Sequence, residues 1–126
     1  MQLYDELLKR LKDIDLISQL GSLLGWDQEV LMPPEAASSR AEQLAWISKE
    51  RHTRKTDPRM GEILEELEGM DGLDDIAEAN VRLARDAYDK ATRLPTDFVS
   101  EIAKHNSKSL ISWTEAREKN DFSIFR

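Results

Sequence analysis

The chain has 126 residues, with 18 Lys and Arg against 25 Asp and Glu, a net charge of −7, and no cysteine. This excludes disulfides, thiolate catalysis and Cys-based zinc or iron–sulfur sites, and sets an acidic surface against phosphate backbones and anionic lipid. Two histidines, His52 and His105, are too few for most catalytic metal sites built from one chain.

The first segment has apolar residues at Leu3, Leu7, Leu8, Leu11, Ile14, Ile17, Leu20, Leu23 and Leu24, stepping by three and four as one face of a helix does. This predicts a helix from about Leu3 to Gly25, with Asp5 and Glu6 in the first turn, where the positive end of the dipole favours them. Pro33-Pro34 must end any helix reaching them, because proline lacks an amide proton and holds the residue before it out of the helical region. A second helix is expected from about Glu35, with Ala37, Ala41, Leu44, Ile47 and His52 on one face and Arg51, Arg54 and Lys55 at its C-terminal end.

Asp57-Pro58 signals a third helix, with Asp57 as N-cap, Pro58 first, Met60, Ile63, Leu64 and Leu67 as the stripe, and Gly69 as the stop. Asp71-Gly72 reads as a turn. A fourth helix follows from about Asp74 to Arg93, with Ile76, Ala79, Leu83, Ala87 and Ala91 expected to pack inward. Leu94-Pro95 breaks it. A fifth, capped by Thr96, carries Phe98, Ile102, Leu110 and Trp113 to about Asn120-Asp121. No alternation of strand type and no hairpin signal occurs. The expected fold is all-α, one helical domain over 1–126 built as an antiparallel bundle of about five helices.

Two features suggest missing apolar cover. Apolar residues are 40% of the chain against 34% charged, a thin supply for a core. Phe122, Ile124 and Phe125 crowd the last five residues, and exposed apolar surface costs about 25 cal/mol per Å². These side chains either fold back or meet a continuation, and the expected consequence for the chain by itself is self-association or a homodimer. The longest uncharged run, beginning at Leu16, is too short and polar for a membrane span, and no basic, apolar leader precedes it; the default expectation is a cytoplasmic protein.

Sites for chemistry are sparse. His-Glu-x-x-His, which places two metal ligands and a base on one helix face, is absent. His52 reads as a packing or helix-end histidine, and Glu101 with His105 as an ordinary helical pair. The acidic pairs fall on solvated faces or in first turns, and no Gly-x-Ser-x-Gly setting or phosphate loop occurs. No catalytic or metal residue is assigned. The unusual stretch is Gly25 to Pro34, with Trp26, Asp27 and Gln28 followed by Met32, Pro33 and Pro34. It reads either as a helix corner, with Trp26 and Met32 in the core and Asp27 as a cap, or as the lining of a cleft whose reactive groups come from elsewhere.

Trp26-Asp27-Gln28 followed by Met32-Pro33-Pro34 resembles the N-terminal signature of the carboxypeptidase Taq family of zinc metallocarboxypeptidases. Further likenesses follow in order: Arg40 to Leu44, Ala79 to Arg82, Ala91 to Pro95, Trp113 with Ala116-Arg117, and Asn120 to Ser123 with Phe125. The resemblance covers nearly all of this chain and only the N-terminal minority of a family member. It implies a parent enzyme, usually a homodimer, that releases C-terminal amino acids from peptides using zinc or another divalent metal. The ligands and catalytic glutamate lie downstream of anything in this chain, so none is carried over and the chain alone is expected to be inactive. Trp26, Asp27, Gln28, Met32, Pro33, Pro34 and Arg40 match the signature and are expected to line or cover one wall of the cleft. The alternative is a free-standing acidic helical module that binds a partner protein, without nucleic acid or membrane. A reading frame that continues beyond Arg126 into His-Glu-x-x-His would favour the enzyme.

Overall fold

The computed structural model describes residues 2–126, and among these it contains five α-helices, two short 3-10 turns and no strand. The helices are α1 (Gln2–Val30), α2 (Ala37–Lys55), α3 (Pro58–Glu68), α4 (Asp75–Thr92) and α5 (Thr96–Lys119). The 3-10 turns are Pro34–Ala36 and Phe122–Ile124. The all-α class and the five segments are as the periodicity predicts.

The helix contacts order the chain as three layers. α1 is the spine, and its 29 residues make it about 44 Å long. α2 and α3 run back along it end to end. Arg40 reaches Leu24 and Asp27, a Cβ on Gly21 would meet Ile47, Arg10 pairs with Asp57, and Glu6 with Arg59. Each step forward along α2 and α3 is thus a step backward along α1, so both are antiparallel to it. α4 and α5 reverse once more: Glu68 meets Arg85 and Gly61 faces Tyr88, while His52, Ala45 and Glu42 meet Thr96, Ser100 and Lys104 in turn. The breaks at Asp57-Pro58 and Leu94-Pro95 fall beside each other. His52 joins them there.

The core is uneven along these rods. At one end Leu7, Ile14, Met60, Ile63, Leu64, Leu67, Val81 and Ala84 form one buried cluster, edged by Leu3, Tyr4, Leu11, Leu73 and Tyr88. At the other end the buried positions of α2 and α5 are small: Ala41, Ala45, Ser107 and Ala116. Small side chains let the backbones approach, and they leave the bulky ones outside. Leu16, Leu20, Leu23 and Val30 form an exposed stripe along α1, with Trp46, Phe98 and Trp113 exposed on α2 and α5.

Several expectations are corrected. Gly25 does not end α1, which continues to Val30; an isolated glycine weakens a helix by about 1 kcal/mol without stopping it, whereas Pro33 and Pro34 cannot continue one. α3 matches throughout: Asp57 accepts from the Arg59 amide at 2.9 Å, and its four stripe residues are all buried. α4 starts at Asp75 with Asp74 capping the Ala77 amide at 2.8 Å, but it turns a different face inward. Ala77, Val81 and Ala84 are buried, while Ile76 is 72% and Leu83 59% exposed. Large side chains from α1 and α3 already fill the wedge, so α4 offers its small ones. Thr96 is the first residue of α5 rather than a cap; Pro95 holds the N-cap position and the Thr96 hydroxyl goes to His52. The tail folds back only in part: Asn120 takes the left-handed conformation (φ 50°), the Asp121 amide returns to the Ala116 carbonyl at 2.9 Å, and Phe122 stays 71% exposed.

Candidate functional site

The stretch from Trp26 to Arg40 forms the corner between α1 and α2, and Asp27 and Arg40 hold that corner. The Arg40 guanidinium, largely buried, donates from Nη1 to the Leu24 carbonyl at 2.7 Å and from Nη2 to Asp27 Oδ2 at 2.8 Å. Its Nε donates to Gln43 Oε1 at 2.9 Å. A planar fork of donors can meet three acceptors in this way, which a lysine ammonium on a flexible stem does poorly. Asp27 therefore anchors a long-range ion pair and is not a cap. Its backbone carbonyl accepts from the amides of both Leu31 (3.0 Å) and Met32 (2.8 Å), closing the end of α1. Pro33, extended at φ −67°, then precedes Pro34 in the first position of the 3-10 turn.

At the next residue of α1, Gln28 Nε2 donates to Ser107 Oγ at 2.6 Å and ties α1 to α5. Beyond that bond opens a groove of about 570 Å³ between the end of α1, the proline turn and the C-terminal half of α5. Met32, Pro34, Leu110, Ile111 and Trp113 give it apolar walls, and Glu29, Glu115 and Glu118 add carboxylates. Arg117 lies over the Trp113 ring at 5.3 Å from its centroid, a cation–π contact.

Of the residues singled out in the sequence, Gln28, Met32 and Pro34 come together in this groove. Asp27 and Arg40 are paired with each other at its supporting corner. Trp26 is 53% exposed on α1, so it is not the core residue the corner reading expects, and neither it nor Pro33 lines the groove. Ser107, which fixes Gln28, had no signal in the sequence: a serine on α5 stands out only once α1 is seen against it. Trp113, which the sequence placed on the fifth helix in a later segment of the resemblance, shares the groove with the first.

His52 is buried at 6% exposure, with Nε2 2.8 Å from the Ala91 carbonyl and Nδ1 2.8 Å from Thr96 Oγ1. The carbonyl can only accept, so Nε2 carries a proton toward it, while Nδ1 is hydrogen-bonded to the threonine hydroxyl. This is a packing histidine stapling the α4–α5 break, rather than part of a solvated helix end. His105 is exposed. Among the described residues no group of three or more His, Asp or Glu is placed to hold a metal ion. The donor set of a catalytic metal centre therefore does not fit these residues.

Comparison with known proteins gives a consistent answer. Residues 6–126 match the carboxypeptidase Taq (M32) metallopeptidase family. Thermostable carboxypeptidase 1 of Thermus thermophilus is 37% identical over 126 residues, covering 97% of this chain and 24% of the relative. Carboxypeptidase 1 of Bacillus subtilis is 31% identical over 116 residues, covering 91% and 23%. Among solved structures, that of BsuCP superimposes with a TM-score of 0.94 at 29% identity, covering 99% of this chain and 25% of that one. That of Pyrococcus furiosus carboxypeptidase gives 0.76 at 28% identity, with the same coverage. The chain thus spans about a quarter of the length of the relatives it matches. With the family model matched over residues 6–126 and relatives up to 37% identical across nearly the whole chain, the chain belongs to the carboxypeptidase Taq (M32) metallopeptidase family, in that family's N-terminal region.

Proposed function

We propose that this chain is the non-catalytic N-terminal wall of a peptide-cleaving cleft, in a longer metallocarboxypeptidase that removes C-terminal residues from peptides. The observation that supports it best is the groove, in which the signature segment meets a later segment of the resemblance: Gln28, Met32 and Pro34 from the first and Trp113 from the second. In this reading Arg40, Asp27 and Ser107 are positioning residues, which hold α1 and α5 so that the wall keeps its shape. The metal, zinc or another divalent ion, and the groups that activate water belong to the remaining length that the relatives have. Peptide is the substrate class, and the parent works in the cytoplasm as a homodimer.

Metal content and C-terminal trimming of a peptide ladder, read by mass spectrometry, test this on the 126-residue chain and on the polypeptide from its full reading frame. The expected result is bound metal and trimming in the longer product only. Trimming by the short chain, or a reading frame without a metal-binding helix, overturns it. The apolar side chains left in water on α1 and α5 favour one second reading, an interaction module with a partner protein, and the second of those outcomes would select it.

A further inference from the structure

Where the breaks at Pro58 and Pro95 lie side by side, α2, α4 and the start of α5 line an open cavity of about 420 Å³ at the surface. It is distinct from the signature groove. Its charged lining is Arg51 and Lys55 from α2 with Asp86 and Lys90 from α4, three cations to one carboxylate in a chain whose net charge is −7. Lys90 and Asp86 pair with each other at 2.7 Å. Arg51 and Lys55 have neither a hydrogen bond nor an ion pair among the described residues, although both are half-buried. They stand four apart on one helix, an arrangement in which like charges repel. Burial, and then the Arg51 charge, hold the Lys55 ammonium below the usual lysine range.

The negative end of the α2 dipole favours a cation at Lys55, but it supplies neither side chain with a hydrogen bond or a counter-ion. Arg54 sits in the same last turn, and it is exposed and bonded to Glu50 of its own helix at 2.6 Å, as a dipole-complementing cation can be. His52 also lines the cavity, but both of its ring nitrogens are spent on Ala91 and Thr96. The remaining wall is apolar: Ala87, Ala91, Leu94 and Val99.

A pair of uncompensated cations against an apolar wall matches an anion with an apolar body. We propose that this cavity binds a small organic monocarboxylate, its carboxylate between Arg51 and Lys55 and its aliphatic part against Leu94 and Val99. The inference stands on this cavity alone and does not depend on the cleft reading above.

The test is a titration of the 15N-labelled 126-residue chain, followed by amide shifts, with three probes: N-acetyl-leucine, its neutral amide, and inorganic phosphate. N-acetyl-leucine is expected to move the amides of His52, Leu94 and Val99, and to bind at least tenfold more tightly than either other probe. The double variant Arg51→Gln, Lys55→Gln removes two cations that no described residue bonds, and should lose at least tenfold in affinity with an unchanged spectrum elsewhere. A control, Lys49→Gln with Lys108→Gln, alters exposed cations outside the cavity and should bind as the parent does. Equal binding of the amide or of phosphate, shifts absent at those three amides, or undiminished binding by the double variant overturns the proposal.

Discussion

Removing the Arg40 guanidinium leaves the Leu24 carbonyl, Asp27 and Gln43 without their shared donor, at a position where the arginine itself is only 13% exposed. Stranding partly buried acceptors costs about 1–3 kcal/mol, so Arg40→Ala should lower the stability of the chain by that amount in urea denaturation. Arg40→Lys should recover less than half of it, because one ammonium cannot span three acceptors. The sequence marks Arg40 and Asp27 as separate positions of one signature. That they bond each other is a fact of the corner, fixed by where Pro33 and Pro34 turn the chain.

At the scale of the helices, α3 and α4 form an instructive pair. α3 has one apolar stripe and a clear start and stop, so its inward face follows from spacing alone. α4 has two stripes: Ile76, Ala79, Leu83 and Ala87 on one side, and Ala77, Val81, Ala84 and Tyr88 on the other. Hydropathy favours the first, and packing selects the second. Leu64→Ala, at a position wholly buried in the cluster, should therefore destabilise the chain by about 2–5 kcal/mol. Leu83→Ala, though the same change in chemistry, should stay within about 0.5 kcal/mol. Thermal melts of the two variants decide which face is inside; equal losses would contradict the packing described here.

Over the whole molecule, charge and exposed apolar surface set the behaviour in solution. Hydrogen bonds from Arg59, with Arg10 helping, hold the Glu6 carboxyl below the usual range; Lys104 does the same for Glu42, and the Ser123 hydroxyl and amide for Asp121. A carboxylate whose folded pKa is depressed contributes stability above its unfolded pKa, about 4. That contribution is lost as pH falls through the folded value. The melting temperature should thus decline as pH drops below about 5, and Glu6→Gln should flatten that decline. The exposed stripe of Leu16, Leu20, Leu23 and Val30 should make the chain self-associate at high concentration. Leu20→Glu with Leu23→Glu should return it to monomer by sedimentation velocity, and a monomeric parent at the same concentration would refute the idea.

The amino-acid sequence by itself determined the all-α class, the five helices and nearly every break between them, because periodicity, proline and capping residues act over one or two turns. It also set the family resemblance, which rests on ordered local motifs. Only the tertiary structure decided which face of α4 is buried, that α1 runs on past Gly25, and that Trp26 stays in water. It alone brought Gln28 to Ser107 and Trp113, and left Arg51 and Lys55 half-buried without partners among the described residues. These outcomes depend on how much volume the neighbouring helices leave free, and a property of several helices packed together has no local trace in any one of them.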